Sequence, residues 1–426
     1  MLENINEKER VLLVGLDKGL RDFDLDASIK ELEDLAKASG AEVVASISQR
    51  RLSEDPSTFI GSGKAEEIYA YCQDLDVDTV IFNDELSGSQ VRNLEKIIDK
   101  KVLDRTTLIL DIFAQRATSN EGKLQVKLAQ LKYRLPRLSG SGHYLSRTGG
   151  GIGTRGPGEQ KLETDRRHIL KEIDNIEKKL AKVEKNRGVL RSKREKSSLP
   201  IVALAGYTNA GKSTLMNALI KEGPSKEHKE VFVKDMLFAS LSTALRKAEF
   251  NNGSSFLLID TVGFVSKLPT NLVEAFKSTL EEISYASVIV QVVDVLNDNI
   301  DLQIQTTNKI LQELEIDDIN IVYAFNKADG LEDCLNKSLL KQYQPSIFIS
   351  AKNKTNLDQL LDLIYDNLPY KYTYAKMFFD FDNQDKLNYF IEKYGFKDLE
   401  YKSDGAYIKG QIDQEDYNKY KEFVIR

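Results

Sequence analysis

Eight residues, Gly206-Tyr207-Thr208-Asn209-Ala210-Gly211-Lys212-Ser213, constrain this chain more than any other stretch. They spell G-x-x-x-x-G-K-S, with the apolar run IVALAG before them and the helical pattern TLMNALI after. A strand that ends in such a turn and feeds a helix presents successive backbone N–H groups, and the helix N-terminus, to phosphates. Lys212 is expected to reach the β and γ phosphates, and the Ser213 hydroxyl to bind Mg2+. The turn therefore predicts an α/β domain that binds a nucleotide.

Three further motifs follow in order, each at the end of an apolar run. SFLLIDTVGF places Asp260, Thr261, Val262 and Gly263 after a strand. Asp260 is expected to hold the magnesium through water, and the Gly263 N–H to sense the γ-phosphate. IVYAFNKAD ends in Asn326, Lys327, Ala328 and Asp329. A carboxylate at Asp329 accepts from N1–H and the 2-amino group of guanine. Adenine offers no donor there, so the charge would be left without its hydrogen bonds, and removing such a partner is costly. SIFISAK then brings Ser350, Ala351 and Lys352 beside the base, with the Ala351 N–H placed to meet O6. A lone DTVG or NKAD is more often a turn. Four motifs in this order, each at a strand end, predict a GTPase.

Elsewhere the chain changes character. Over residues 1–115 strand-like runs (VLLVGL, AEVVASISQ, DTVIFND) alternate with helical ones (SIKELEDLAKAS, GKAEEIYAYCQDL, SQVRNLEKIID), which predicts βαβ units and a parallel sheet. Over 116–198 the apolar residues Leu124, Leu128, Leu131 and Leu135, then Ile169, Ile173, Ile176, Leu180 and Val183, recur every three or four positions. Two such helices with a glycine-rich loop between them predict an antiparallel hairpin. KREKSSLP is a linker, the nucleotide domain runs over 199–369, and 370–426 forms a small α+β domain. Gly61-Ser62-Gly63-Lys64 looks like half a phosphate loop, but Ala65 stands where Ser or Thr is needed, so a tight turn before a helix is expected.

Charge and composition narrow the partners. The formal net charge is −6, yet residues 116–197 hold 21 Lys and Arg against 9 Asp and Glu. One basic segment in an acidic chain points to a local polyanion contact. The N-terminus lacks the pattern of a signal peptide, and no apolar run approaches the ~20 residues of a membrane helix. Two cysteines far apart and three histidines without ligand spacing argue against a disulfide framework or a zinc site. A cytoplasmic protein without membrane contact is expected, and the helical seam, satisfied within one chain, predicts a monomer.

The stretch RTGGGIGTRGPGE (147–159) contains a literal G-x-G-x-x-G. A dinucleotide fingerprint needs a strand directly before it and an acidic residue ending the next strand. LPRLSGSGHYLS is no buried strand, and a long charged helix follows. A dehydrogenase reading therefore fails. Glycines that let the backbone approach RNA, with Arg147 and Arg155 supplying charge and stacking planes, make an RNA contact the expectation.

Beyond the generic motifs, the strings FNDELSGSQVRNLE, LDRTTLILDIFAQRA, EGKLQVKLAQLKYRLPRL, GGGIGTRGPGE with LETDRR, and DTVGFVSKLP span nearly the whole sequence. In these the chain resembles the HflX family of the Obg-HflX superfamily. The resemblance implies a cytoplasmic GTPase on the large (50S) ribosomal subunit and its rRNA, acting in ribosome splitting, rescue or biogenesis. A nucleotide-switched RNA-binding scaffold with incidental hydrolysis is the competing expectation. The family's first switch, F-A-T-L-D-P-T, becomes Phe238-Ala239-Ser240-Leu241-Ser242-Thr243-Ala244. Ser240 keeps the hydroxyl of the second magnesium ligand, which with Lys212 and Gly263 would make the catalytic set. Losing the Pro leaves the loop less pre-set. Phe264 stands where many GTPases carry a water-orienting glutamine, so turnover is expected to be slow until a partner orders the switches.

Overall fold

The computed structural model describes residues 8–19, 24–138, 157–195, 199–220, 244–261, 263–267, 280–297, 299–316, 318–331, 341–369, 371–394, 396 and 398–425. They divide into two compact units, one of residues 1–181, 236–238 and 266–276, the other of 182–235, 239–265 and 277–426. No helix among the described residues is long and apolar enough to cross a membrane.

The first unit opens with four parallel strands, β1 (Arg10–Asp17), β2 (Glu42–Arg50), β3 (Thr79–Phe82) and β4 (Lys101–Asp104), in the order β2-β1-β3-β4. Helices α1 (Leu25–Ala38), α2 (Ser62–Asp74), α3 (Gly88–Ile98) and α4 (Arg105–Arg116) alternate with them, as the βαβ pattern requires. Their ends follow from local chemistry. Asp24 caps α1 through the N–H groups of Asp26 and Ala27, and Ser87 with Gln90 forms a capping box on α3. Leu12, Val14, Phe82, Ile68 and Leu94 are fully or almost fully buried between the layers.

Arg105, at the carboxyl edge of this sheet, is 2% exposed. Its guanidinium donates to Asn83 Oδ1 at 2.9 Å, to the Glu31 carboxylate, and to Ser266 Oγ at 2.9 Å. Lys267 Nζ reaches Asp84 Oδ1 at 2.6 Å, and burial pushes that ammonium below the usual lysine range. A buried arginine is tolerated only when it is paired and hydrogen-bonded in this way.

Helices α5 (Asn120–Leu138) and α6 (Pro157–Glu195) follow. Leu128 and Leu131 pack against Ile173 and Ile176, flanked by Leu124, Leu135, Ile169 and Leu180, the seam expected from the spacing. Lys127 pairs with Glu172 and Lys132 with Glu177, so each flank of one helix meets the equivalent flank of the other. Like-to-like flank pairing belongs to an antiparallel seam. The G-x-G-x-x-G stretch and the residues directly before it lie outside the described residues. Arg147 and Arg155 lie outside the described residues.

The second unit holds a six-stranded sheet, β10-β9-β8-β5-β7-β6. Its strands are β5 (Ile201–Gly206), β6 (Ala244–Glu249), β7 (Ser255–Asp260), β8 (Val288–Asp294), β9 (Asn320–Asn326) and β10 (Ser346–Phe348), all parallel except β6, which runs antiparallel to β7. Helices α7 (Lys212–Leu219), α8 (Ile300–Glu313) and α9 (Leu357–Asp366) accompany them. Val202, Leu204, Leu258, Val290 and Val322 are completely buried, the continuous apolar runs of a sheet covered on both faces. The chain closes with a four-stranded antiparallel sheet formed by β11 (Tyr372–Phe379), β12 (Asp398–Lys402), β13 (Gly405–Asp413) and β14 (Val424–Ile425). Helices α10 (Gln384–Tyr394) and α11 (Gln414–Lys419) complete it. The architecture is therefore α/β, with a phosphate-loop domain preceded by an α/β domain bearing a basic helical hairpin and followed by a small α+β domain.

Candidate nucleotide site

The carboxyl ends of β5, β7, β8 and β9 converge on the sequence motifs. β5 turns at Gly206 into the loop that starts α7, with Asn209 at φ +60° and Gly211 at φ +94°. A Cβ on Gly211 would stand 2.2 Å from the Asn326 side-chain nitrogen as well as being strained, so only glycine serves here. Across the loop, Thr208 N–H donates to the Phe264 carbonyl at 2.7 Å and Phe264 N–H to that of Gly206 at 3.1 Å. These bonds fasten the DTVGF stretch alongside the phosphate loop. Phe264 itself is 1% exposed, part of the core and not a side chain presented to water.

Lys212 and Ser213 face the same corner. Lys212 Nζ donates to the carbonyls of Gly206 at 2.9 Å and Tyr207 at 2.7 Å. Burial pushes its ammonium down to about 8, against the pull of the Asp260 carboxylate. A Cβ on Gly263 would lie 3.0 Å from Lys212 Nζ and 2.8 Å from Thr208 Cα, so the DxxG glycine comes against lysine and loop alike. Ser213 Oγ donates to Asp260 Oδ2 at 2.7 Å. A hydroxyl and a carboxylate side by side form the hard oxygen set that Mg2+ takes. The Thr261 hydroxyl is given to the Leu204 carbonyl at 2.7 Å, which ties β7 to β5.

The base-side motifs come together through Asn326. Its Nδ2 donates to the Ala210 carbonyl at 2.8 Å and its Oδ1 accepts the Ala351 N–H at 2.9 Å. Asn326 thus joins the phosphate loop to the Ser350–Lys352 loop, and a guanine O6 would share the Ala351 proton with it. The Ser350 hydroxyl hydrogen-bonds the Asp329 carboxylate and holds it below the usual carboxylate range, helped by the charges of Lys352 and Lys327. Asp329 is exposed, so an ionised carboxylate stands at the surface beside this loop. Lys327 Nζ pairs with Asp294 Oδ2 at 2.7 Å. Asp294, the last residue of β8, is a partner of the NKxD motif that sequence reasoning misses; its signal is an acidic residue closing the apolar run VIVQVV.

Of the expected site residues, Gly206 to Ser213, Asp260, Thr261, Gly263, Asn326 to Asp329 and Ser350 to Lys352 are described, and their motifs lie at the strand ends of one sheet. Val262 and the first-switch residues Phe238, Ala239, Ser240, Leu241 and Ser242 fall outside the described residues. The second glycine–lysine turn is different. Gly61 caps α2, its N–H donates to Gln49 Oε1 at 2.9 Å, and Lys64 Nζ pairs with Glu67 at 2.8 Å.

A phosphate loop, a DxxG strand end and an NKxD strand end on one mostly parallel sheet define a guanine-nucleotide-binding protein of the P-loop class. The comparisons with known proteins agree. Residues 26–114 match the family model for the GTP-binding GTPase N-terminal region, 116–194 that for its middle region, and 201–327 that for a 50S ribosome-binding GTPase. A GTPase HflX from Caldanaerobacter subterraneus subsp. tengcongensis is 43% identical over 100% of this chain and 96% of its own length. One from Alkalihalophilus pseudofirmus is 47% identical over 82% of this chain and 80% of its own. A solved GTP-binding protein from Sulfolobus solfataricus in complex with GDP is 25% identical, covering 84% of this chain and 98% of that one at a TM-score of 0.44. The chain belongs to the HflX family of GTPases.

Proposed function

We propose that this protein binds and hydrolyses GTP and works on the large ribosomal subunit. One observation carries the nucleotide part: the hydrogen bond of 2.7 Å from Ser213 Oγ to Asp260 Oδ2, which joins the phosphate loop to the DxxG motif. The name of the matched family model, a 50S ribosome-binding GTPase, supports the ribosomal part. The basic segment 116–197 supplies charge for rRNA, and Arg147 and Arg155 are the proposed contacts. The scaffold alternative is not favoured.

In this reading Lys212 holds the β and γ phosphates and Gly263 N–H meets the γ-phosphate. Ser213 and Ser240 would hold Mg2+, with Asp260 placed to reach it through water. The ion would neutralise charge that builds between the phosphates. Asp329 selects guanine, with Asn326, Lys327 and Ala328 shaping its loop and Ser350, Ala351 and Lys352 closing over the base. Phe264 is walled into the core and orients no water, so hydrolysis is slow until the ribosome orders the switches. The working divisions are 1–115, 116–198, 199–369 and 370–426, in a cytoplasmic monomer.

Phosphate release by the purified protein, alone and with 50S subunits, tests the reading. Sedimentation of subunits with GTP, GDP and a non-hydrolysable analogue shows which nucleotide state acts. Slow release, raised severalfold or more by 50S subunits, is expected. A fast rate that ribosomes leave unchanged, or binding to ribosomes no better with GTP than with GDP, overturns it.

A further inference from the structure

The C-terminal domain runs β11-α10-β12-β13-α11-β14, and its sheet order β12-β13-β11-β14 places the first and third strands side by side at the centre. This is the split βαβ arrangement. One face of the sheet is filled. Ala375, Met377 and Phe379 of β11 and Ala406, Ile408 and Ile412 of β13 are buried in one cluster with Leu387, Phe390 and Tyr394 of α10.

The other face is partly exposed, with Tyr374, Lys376 and Lys409 at the surface and the Gln411 amide buried. Strand alternation puts Tyr374, Lys376 and Phe378 there from β11, and Tyr407, Lys409 and Gln411 from β13. The register pairs Phe378 with Tyr407, Lys376 with Lys409 and Tyr374 with Gln411. The Phe378 and Tyr407 rings lie with centroids 5.0 Å apart, and Tyr374 is 50% exposed.

Two features of this face work against the isolated fold. Lys376 and Lys409 stand directly opposite each other, a like-charge pair that destabilises a sheet, and among the described residues neither makes an ion pair. Among the described residues, the Gln411 side-chain amide has neither its nitrogen nor its oxygen hydrogen-bonded. Of the acidic residues at the margin, Asp398 stands directly opposite Lys409 in the β12–β13 register. Glu400 pairs with Lys402 at 3.7 Å and Asp404 accepts from the Tyr407 hydroxyl at 2.7 Å. Flat rings interleaved with lysines complement a polyanion that carries flat bases, and aromatic side chains on a four-stranded sheet are a recurring way to hold unpaired bases.

We propose that this face binds single-stranded RNA, with bases stacked on Tyr374, Phe378 and Tyr407 and phosphates taken by Lys376 and Lys409. The surface is separate from the nucleotide site. The choice of RNA over DNA rests on the ribosome-directed reading above; the stacking argument does not.

The test uses the full chain with a fluorescent single-stranded oligoribonucleotide carrying 4-thiouridine. Anisotropy gives affinity, and photo-cross-linking followed by peptide mapping gives place. Cross-links are expected within 372–379 and 405–413. Phe378→Leu and Tyr407→Leu, which keep apolar bulk but lose the stacking face, are each expected to weaken binding about tenfold while leaving GDP affinity unchanged. Lys376→Gln with Lys409→Gln is expected to lower the slope of log affinity against log salt by about 1.4. Cross-links confined to 116–198, or leucine variants that bind as tightly as the parent, overturn the proposal. Tighter binding of the matching deoxyoligonucleotide overturns the assignment to RNA. No ribosome or GTP enters these measurements, so their failure leaves the proposed function standing, and the failure of ribosome-stimulated hydrolysis leaves them readable.

Discussion

Two glycine-containing stretches in this chain place a lysine at the start of a helix, Gly61–Lys64 across the cap and first turn of α2 and Gly206–Lys212 leading into α7. A glycine caps each helix, Gly61 and Gly211, yet their lysines meet different surroundings. Lys64 is paired with Glu67 one helical turn on. Lys212 is buried, held by two carbonyls of its own loop, and faced by the DxxG glycine. Only the second turn needs glycine for its backbone, at Gly206 and Gly211, and the tertiary setting decides whether the lysine can serve a phosphate. A hydroxyl follows Lys212 where Ala65 follows Lys64, and Ser213 gives that hydroxyl to Asp260.

The comparison breaks most directly at the lysines. Lys212→Ala removes the side-chain cation held against the loop carbonyls and should lower GTP affinity at least about a hundredfold, since a charge-assisted phosphate contact is worth roughly 1.5–3 kcal/mol per hydrogen bond. Lys64→Ala should change it less than about twofold. Titration with a fluorescent guanine nucleotide decides, and equal losses would make the two turns equivalent.

Asp329→Asn extends the test to the base. It exchanges the ionised acceptor held by Ser350 for an amide and should weaken GTP about thirty- to a hundredfold. The amide donor complements the 2-oxo group of xanthine, so xanthosine triphosphate should gain by comparison. Competition binding with GTP, ATP and XTP reads the switch, and an unchanged order of preference removes Asp329 from base selection. Asn326→Ala comes next. It strips the hydrogen bonds of 2.8 Å to the Ala210 carbonyl and 2.9 Å from the Ala351 N–H, leaving both buried groups short of a partner. About 2 kcal/mol, or some thirtyfold in nucleotide affinity, should follow, and a lowered melting temperature should accompany it in calorimetry.

Much of this fold and site is legible in the amino-acid sequence, and the reasons are physical. Buried parallel strands are continuous apolar runs, so VLLVGL, IVALAG and SFLLID announce themselves. The hairpin seam follows from its three-and-four spacing, and Leu128 and Ile173 do meet. The short strand β4, KVLD, and the charged edge strand β6, ALRKAE, carry no such signal, because pairing with β3 and with β7 makes them strands. In the site, the motifs name residues but not their partners. The Asn326 crossbrace, the Lys327–Asp294 pair and the Arg105–Glu31–Ser266 contact join residues 25 to 235 positions apart, which only folding brings together.

The finest distinction between the two lysines is their response to pH. In the free protein burial holds the Lys212 ammonium at about 8, so it is mostly protonated at pH 7 and mostly neutral by pH 9. A bound triphosphate raises that value, so GTP binding takes up a proton above pH 8. Affinity should therefore be full below about pH 7 and fall by up to about tenfold by pH 9. Stability of the free protein should move the other way. The unfolded chain has an ordinary lysine and binds more protons than the folded one between about 8 and 10.5, so this residue's contribution to stability rises with pH across that window. Lys212→Met should flatten that rise in pH-dependent unfolding, and Lys64→Met should leave it in place. The same slope in both variants would show that Lys212 is no more desolvated than its counterpart, and the contrast between the two turns would then rest on Ser213 alone.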